Sequence, residues 1–365
     1  MYTTLGIIIL AVIAVFIYIR HPKFGKLPSG DRLERIKKSP NYKDGSFQNQ
    51  SHTPVMAEDV SYFSVGKEFI FGKRNRVSPC DEIPSVKTDL MNLDNSEDVL
   101  VWFGHSSYFM QIDGKKILVD PVFSGHASPF SFSIKAFNGT DQYGVDDIPE
   151  IDYLFITHDH WDHLDYETIT KLKSKVGTVI CGLGTGEHLE CWGYNVDKII
   201  ELDWNEQSEL DSGFVVHSVP ARHFSGRGFK RNQTLWTSFV FQTPTMKIFI
   251  GGDGGYDKHF KEIGNNFESI DLAILDNGQH NKNWKYIHLM PDEISQTFLD
   301  LKAKQLFSVH NSKFVLANHP WDEPLIEVKD MSNELNIPLI HPMIGELVNL
   351  KDSTQQFVEW WKNIE

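Results

Sequence analysis

The sequence predicts an α/β fold in which two stacked sheets are flanked by helices. Three observations predict it. From residue 99 onward, short β-branched and aromatic runs recur between Gly- and Ser-containing breaks. One of them, IDYLFIT at 151–157, is continuously apolar, as expected of a strand covered on both faces. Helical stretches are interspersed among the later runs, so the pattern is layered rather than all-β. Composition agrees. The 365 residues are 41% apolar and include 25 Phe and 9 Trp, enough to build a sizeable core.

Taken in order, the elements begin with residues 1–19, which carry no charge. Leu5 to Ile19 is almost wholly aliphatic. A helix of that length, rising about 1.5 Å per residue, nearly matches a hydrocarbon core of roughly 30 Å. A cleaved signal peptide would need a basic start and a small-residue cleavage site, and neither is present. The segment therefore reads as a single-pass transmembrane helix. Arg20, Lys23 and Lys26 follow it at once, which would place the bulk of the chain on the cytoplasmic side. Residues 20–95 form a polar arm punctuated by Pro and Gly. It carries the basic piece DRLERIKK (31–38), and either caps the main domain or links to it.

The main domain, 96–365, opens with the antiparallel runs VLVWF (99–103), YFMQI (108–112) and KKILVD (115–120). After IDYLFIT, Asp165 caps a predicted helix, YETITKLKSK. Further strands are expected at 178–181, 214–219, 237–243, 247–252, 272–276, 306–310 and 337–341. Helices are expected near Tyr256 and at Pro291, the latter with proline in its first turn and acids behind it.

The net charge of −14 argues against a general nucleic-acid binder. Cys80, Cys181 and Cys191 are too few for a disulfide framework or a thiolate zinc ribbon. The 16 histidines are the informative excess. The segment THDHWDH (157–163) leaves the buried strand and precedes the helix. In an extended segment side chains repeat every second residue, so His158 and His160 face one side. The turn that follows brings Asp162 and His163 to a neighbouring point. Imidazole and carboxylate suit zinc, and also iron or manganese. A two-metal site needs more ligands, and polar residues ending other apolar strands are the candidates: His223, Asp253 and His310.

This order of residues resembles the metallo-β-lactamase superfamily of αβ/βα hydrolases. Within it, five further segments resemble the branch containing N-acyl-phosphatidylethanolamine-hydrolysing phospholipase D. They are VWFGHSSYFMQIDGKKILVDPVFSGHASP (101–129), IIELDW (199–204), FIGGDGGYDKHFKEIG (249–264), YIHLMPDEI (286–294) and VHNSKFVLANHPWDEP (309–324). The resemblance implies a four-layer sandwich and two zinc ions. One would be held by His158, His160 and His223, the other by Asp162, His163 and His310, with Asp253 bridging. Two such cations lower the pKa of a water between them and polarise the electrophile. Asp162 and His288 become the catalytic candidates, and Trp161 and His288 the substrate-side ones. Asp120 becomes the acid that orients a ligand imidazole. His105 and His126 lie in the same early loops and could line the site, but a structural role is expected for them. His21, His52, His188, His217, His259, His280, His319 and His341 are expected to be structural or exposed. Lys285 and Arg222 are solvated charges that could meet an anionic head group.

The expected function is phospholipase D-type cleavage of N-acyl-phosphatidylethanolamine or a related phospholipid at a membrane. The second reading is a lactonase or esterase on a small anionic substrate, since sugar-phosphate lactonases share part of the pattern. Asn311-Ser312-Lys313 departs from the small-residue turn of the phospholipase branch.

Overall fold

Successive residues of the same strand are buried in different cores, and this alternation sets the layers. Leu100 and Trp102 of β3 (Val99–Trp102) enter one apolar cluster, while Val101 enters another. The computed structural model describes residues 2–72 and 75–365. Met1, within the expected 1–19 segment, lies outside the described residues.

The arm carries α1 (Tyr2–Tyr18), α2 (Gly30–Ile36), the small hairpin β1 (Tyr42–Lys43) and β2 (Ser46–Phe47), and α3 (Tyr62–Phe71). After β3 come β4 (Tyr108–Ile112), β5 (Lys115–Val119), β6 (Ile151–Ile156), α4 (Tyr166–Leu172), β7 (Val176–Gly182), α5 (Gly186–Cys191) and β8 (Ile199–Leu202). A second set follows: β9 (Gln207–Asp211), β10 (Phe214–Val219), β11 (Ser238–Gln242), β12 (Lys247–Ile250), α6 (His259–Phe267), β13 (Ile270–Asp276), α7 (Pro291–Asp300), β14 (Ala303–Val309), α8 (Glu323–Leu335) and β15 (Leu339–Ile340). The chain then returns as β16 (Leu347–Asn349) to pair with β3.

Among the described residues these strands make two seven-stranded mixed sheets, ordered β16-β3-β4-β5-β6-β7-β8 and β15-β14-β13-β12-β11-β10-β9. Phe155 of one sheet meets Phe239 and Phe241 of the other at ring-centroid distances of 5.3 Å. Outside the first sheet, Ile169 and Leu172 of α4 pack with Leu154 and Ile156. Outside the second, Phe260, Phe298 and Val328 from α6, α7 and α8 pack with Phe249 and Ala273. The result is the α/β/β/α sandwich expected from the sequence.

The arm packs on the domain. Arg32 lies 2.7 Å from Glu201 and 2.6 Å from Glu187. Asn49 holds both backbone groups of His223, accepting from its N–H at 3.1 Å and donating to its carbonyl at 2.7 Å. Val65 of α3 clusters with Trp284, Ile287 and Ala317.

The transmembrane expectation is corrected here. Helix α1 forms, but its 17 residues rise only about 25 Å. No described helix is long and apolar enough to cross a membrane. Its C-terminal end is tied to the domain surface: the Tyr18 hydroxyl donates to the Pro129 carbonyl at 2.6 Å, and its ring stacks on Phe130 at 5.0 Å.

Phe155 is fully buried between the sheets. Phe155→Ala should therefore lower unfolding free energy by about 3–5 kcal/mol. A urea or guanidinium titration reads this as a fall in midpoint.

Candidate metal centre

The site is built where strand ends from both sheets meet. From the first sheet, β6 delivers Thr157 and the loop to His163. From the second, β10, β12, β13 and β14 run out to His223, Asp253, Asp276 and His310. Gly252 allows the close approach. Its φ is +61°, and a Cβ there would lie 2.8 Å from the Thr157 Cβ. His105, Asp120 and His310 also have positive φ, of 53°, 40° and 69°. For non-glycine residues such strain costs on the order of 1 kcal/mol or more and persists only where surroundings enforce it. Backbone bonds from His105 N–H to Asn311 C=O and from His310 N–H to His105 C=O, at 2.9 and 3.1 Å, supply part of that enforcement.

Three imidazole nitrogens converge at one position. His160 Nδ1 lies 2.9 Å from His158 Nε2 and 3.2 Å from His223 Nε2. Ligand atoms about 3.3 Å apart are what tetrahedral coordination with roughly 2.05 Å bonds requires. Asp253 stands between this trio and a second group. Its Oδ2 is 3.8 Å from the Nε2 atoms of His158 and His223, and its Oδ1 is 3.1 Å from His163 Nε2 and His310 Nδ1. Asp162 Oδ2 closes the second group, 3.6 Å from His163 Nε2 and 3.4 Å from His310 Nε2. His163 Nε2, His310 Nδ1, Asp253 Oδ1 and Asp276 Oδ1 are buried without a hydrogen-bond partner. Buried orphan groups of this kind cost free energy unless something else satisfies them. A cation at each group would do so, and the donor set fits.

Neighbouring residues fix the ring orientations. Asp120 Oδ2 accepts from His163 Nδ1 at 2.8 Å, and its carboxylate is itself held by the Thr157 N–H and hydroxyl. His223 Nδ1 donates to the Ile287 carbonyl at 2.7 Å, leaving Nε2 free to ligate. Burial, then the nearby histidines, holds His158 and His223 well below the usual imidazole range. Burial brings His160 down to about 4. For His163 burial acts the same way, but Asp253, Asp162 and Asp120 outweigh it and raise its pKa well above the ordinary value. Burial raises the Asp253 carboxyl to about 6.

The seven candidate ligands are thus brought together, and Asp120 lies against His163. His288 is close by, its Nδ1 2.8 Å from Asp276 Oδ2. Burial lowers its pKa, but Asp276 more than compensates and the net shift is upward. Trp161 departs from expectation. It packs on Phe24 at 5.2 Å and under the Arg227 guanidinium at 3.9 Å, outside the pocket lining. His105, which could line the site or be structural, donates to the Asp162 carboxylate at 3.0 Å. Two residues were not anticipated in their positions. Asp276 lies 3.4 Å from His310 Nδ1. Asp159 faces away from the cluster and anchors the loop through the Gly226 N–H, the Thr234 hydroxyl and His188. The every-second-residue rule that pairs His158 with His160 also turns Asp159 and Trp161 to the other side.

Residues 115–311 match the family model described as "Beta-lactamase superfamily domain". An uncharacterised protein of Mycobacterium tuberculosis is 34% identical over 89% of this chain and 88% of its own length. The Caenorhabditis elegans "N-acyl-phosphatidylethanolamine-hydrolyzing phospholipase D 1" is 28% identical over 64% of this chain and 68% of that protein. Among solved structures, a metallo hydrolase from Ignicoccus hospitalis superposes with a TM-score of 0.52 at 17% identity, covering 69% of this chain and 98% of that one. The chain belongs to the metallo-β-lactamase superfamily. It is a metal-dependent hydrolase of that superfamily with a buried histidine and aspartate metal site.

A proton on His163 must leave before that ring can ligate, and Asp253 must ionise before it can serve either group. Metal affinity at the centre should therefore fall as pH falls. Dialysis at steps from about pH 8 to 5.5, with metal analysis of each sample, should show progressive loss of metal. Metal content that stays constant over that range would contradict this.

Proposed function

We propose that the chain is a dinuclear zinc phosphodiesterase of phospholipase D type, acting on N-acyl-phosphatidylethanolamine or a closely related phospholipid. The observation that carries this reading is the pocket beside the metal centre. It has a volume of about 310 Å³, and its lining includes the polar His160, Asp162, His223, Arg231, Asp253, Gln279, His288 and His310. The rest of the lining is apolar: Val55, Met56, Val65, Phe224, Trp284, Ile287 and Leu316. A phosphodiester flanked by acyl chains suits both kinds of lining. The similarity to the nematode phospholipase supports the same substrate class.

His158, His160 and His223 would hold one cation and Asp162, His163 and His310 the other, with Asp253 between them. The pair would supply Lewis-acid polarisation and a water of lowered pKa. His288 would act as proton donor. Its ring borders the pocket, and the Asp276 carboxylate keeps it proton-rich. As water adds to phosphorus and the bond to the departing alcohol breaks, His288 would protonate that oxygen. The proton lost by the water would restore His288.

Attachment to membrane is part of the proposal. Leu5, Ile7, Leu10, Phe16 and Ile17 of α1 are exposed, and so are Phe130, Phe132 and Phe229. Phe130 stacks on Tyr18 at the end of α1, and Phe229 and Ile19 line one cavity. This apolar surface suits contact with lipid. The full chain should float with phosphatidylethanolamine vesicles, and a chain lacking residues 2–18 should stay behind; equal flotation would remove α1 from the reading.

The activity is tested with metal-loaded protein offered N-acyl-phosphatidylethanolamine, other phospholipids and small lactones. The expected products are an N-acylethanolamine and phosphatidic acid. Asp253→Ala should abolish turnover. His288→Ala should lower it about 10²–10⁴-fold with metal content unchanged. Turnover of lactones alone would replace this reading with the lactonase one.

A further inference from the structure

Glu323 and Glu327 stand one turn apart at the start of α8, so their side chains are neighbours on one helix face. His280, on the loop that follows β13, points its Nε2 at both. It lies 3.7 Å from Glu323 Oε1 and 4.0 Å from Glu327 Oε2, too far for hydrogen bonds. The His280 side chain is only 7% exposed, and its Nδ1 has no partner. Glu327 Oε2 is likewise buried and unpartnered. The three ligand atoms lie within 4.8 Å of one another and share no residue with the metal centre.

We propose that His280, Glu323 and Glu327 form a further metal site, which takes one divalent transition-metal ion of the zinc or manganese type. One imidazole and two carboxylates form a donor set for such ions. Small side-chain rotations would bring the three atoms to bonding distance. Glu323 and Glu327 are 35% and 41% exposed, which leaves the solvent side open for entry and for water ligands. Nothing else among the described residues neutralises the pair. Burial raises the pKa of both carboxyls, and burial lowers that of His280 to about 3, so a proton on the imidazole is not the counter-charge.

The site has a place in the architecture. Asp276, Asn277, Gly278 and Gln279 lead directly from the metal centre to His280. Asn277 donates to the Pro324 carbonyl at 2.9 Å, and Gln279 lines the substrate pocket. Gly278 passes so close to His310 that a Cβ would sit 2.3 Å from its carbonyl oxygen. An ion between His280 and α8 would clamp this pocket-wall loop to the helix behind it. Its role is positional and does not depend on the substrate proposed above.

The test counts metal. Full-length protein is loaded with zinc, stripped of excess on a chelating resin and measured by elemental analysis. Glu327→Gln and Glu323→Gln keep side-chain shape and should each bind one zinc per chain fewer than the wild type. The difference, not the total, reads this site, so it stands apart from how many ions the main centre holds. Anomalous diffraction at the zinc edge from wild-type crystals gives the answer without a variant. A peak among the three side chains supports the site. Equal zinc in wild type and both variants, or no peak there, overturns it.

Discussion

Asp253 is the side chain on which the arrangement turns. Its two oxygens face imidazoles carried by different sheets: His158 and His163 come from the end of β6, His223 and His310 from the ends of β10 and β14. A fully buried carboxylate in that place is costly unless it is paired. The two sheets must therefore stack in one register, with their strand ends at the same rim. The aromatic contacts of Phe155 with Phe239 and Phe241 hold that register from the side of the core, and Asp253 holds it at the rim.

The same constraint is met by loops that are densely hydrogen-bonded, where connecting loops ordinarily are not. The ligand loop is fastened twice. Asp120 grips Thr157 and His163 on one side; Asp159 grips Gly226, Thr234 and His188 on the other. Arg227, buried beside it, donates to the carbonyls of Asp159, Leu164 and Lys23. The arm participates as well, because Asn49 fixes the backbone of His223 and Val65 helps to build the pocket wall. The polar arm is in this sense part of the site's scaffold.

Much of this was legible in the residues, and the gaps have physical causes. The strands buried on both faces stood out because unbroken apolar runs are rare elsewhere. Strand β9, QSELD, did not, since it lies at a sheet edge with alternate residues exposed. Strands β8 and β16 are short runs without a periodicity of their own. The ligand cluster could be read because His158, His160, Asp162 and His163 crowd into one segment. Asp276 could not: it looks like any acid that ends a strand, and only the parallel pairing of β13 with β14 carries it to His310. His105 is similar, since its bond to Asp162 depends on the stacking of two loops far apart in sequence. Trp161 stands between two ligands in sequence, yet its ring packs on Phe24 and Arg227, because alternate residues of the loop turn to opposite sides. At α1, composition was read correctly as apolar, but the helix stops at Tyr18, where a hydroxyl and a ring find partners on the domain.

The return of β16 to the edge of β3 has a consequence for how the chain is made. Val99 pairs with Asn349, so one rim of the first sheet stays open until nearly the whole domain has left the ribosome. Until then β3, four buried apolar residues long, presents bare amide and carbonyl groups beside an apolar face. An edge of that kind invites pairing with a neighbouring nascent chain. Closing so long a loop costs little extra at equilibrium, since each doubling of its length adds only about 0.6 kcal/mol. The burden falls on timing: the open edge of β3 must be kept from other chains until β16 arrives to cover it.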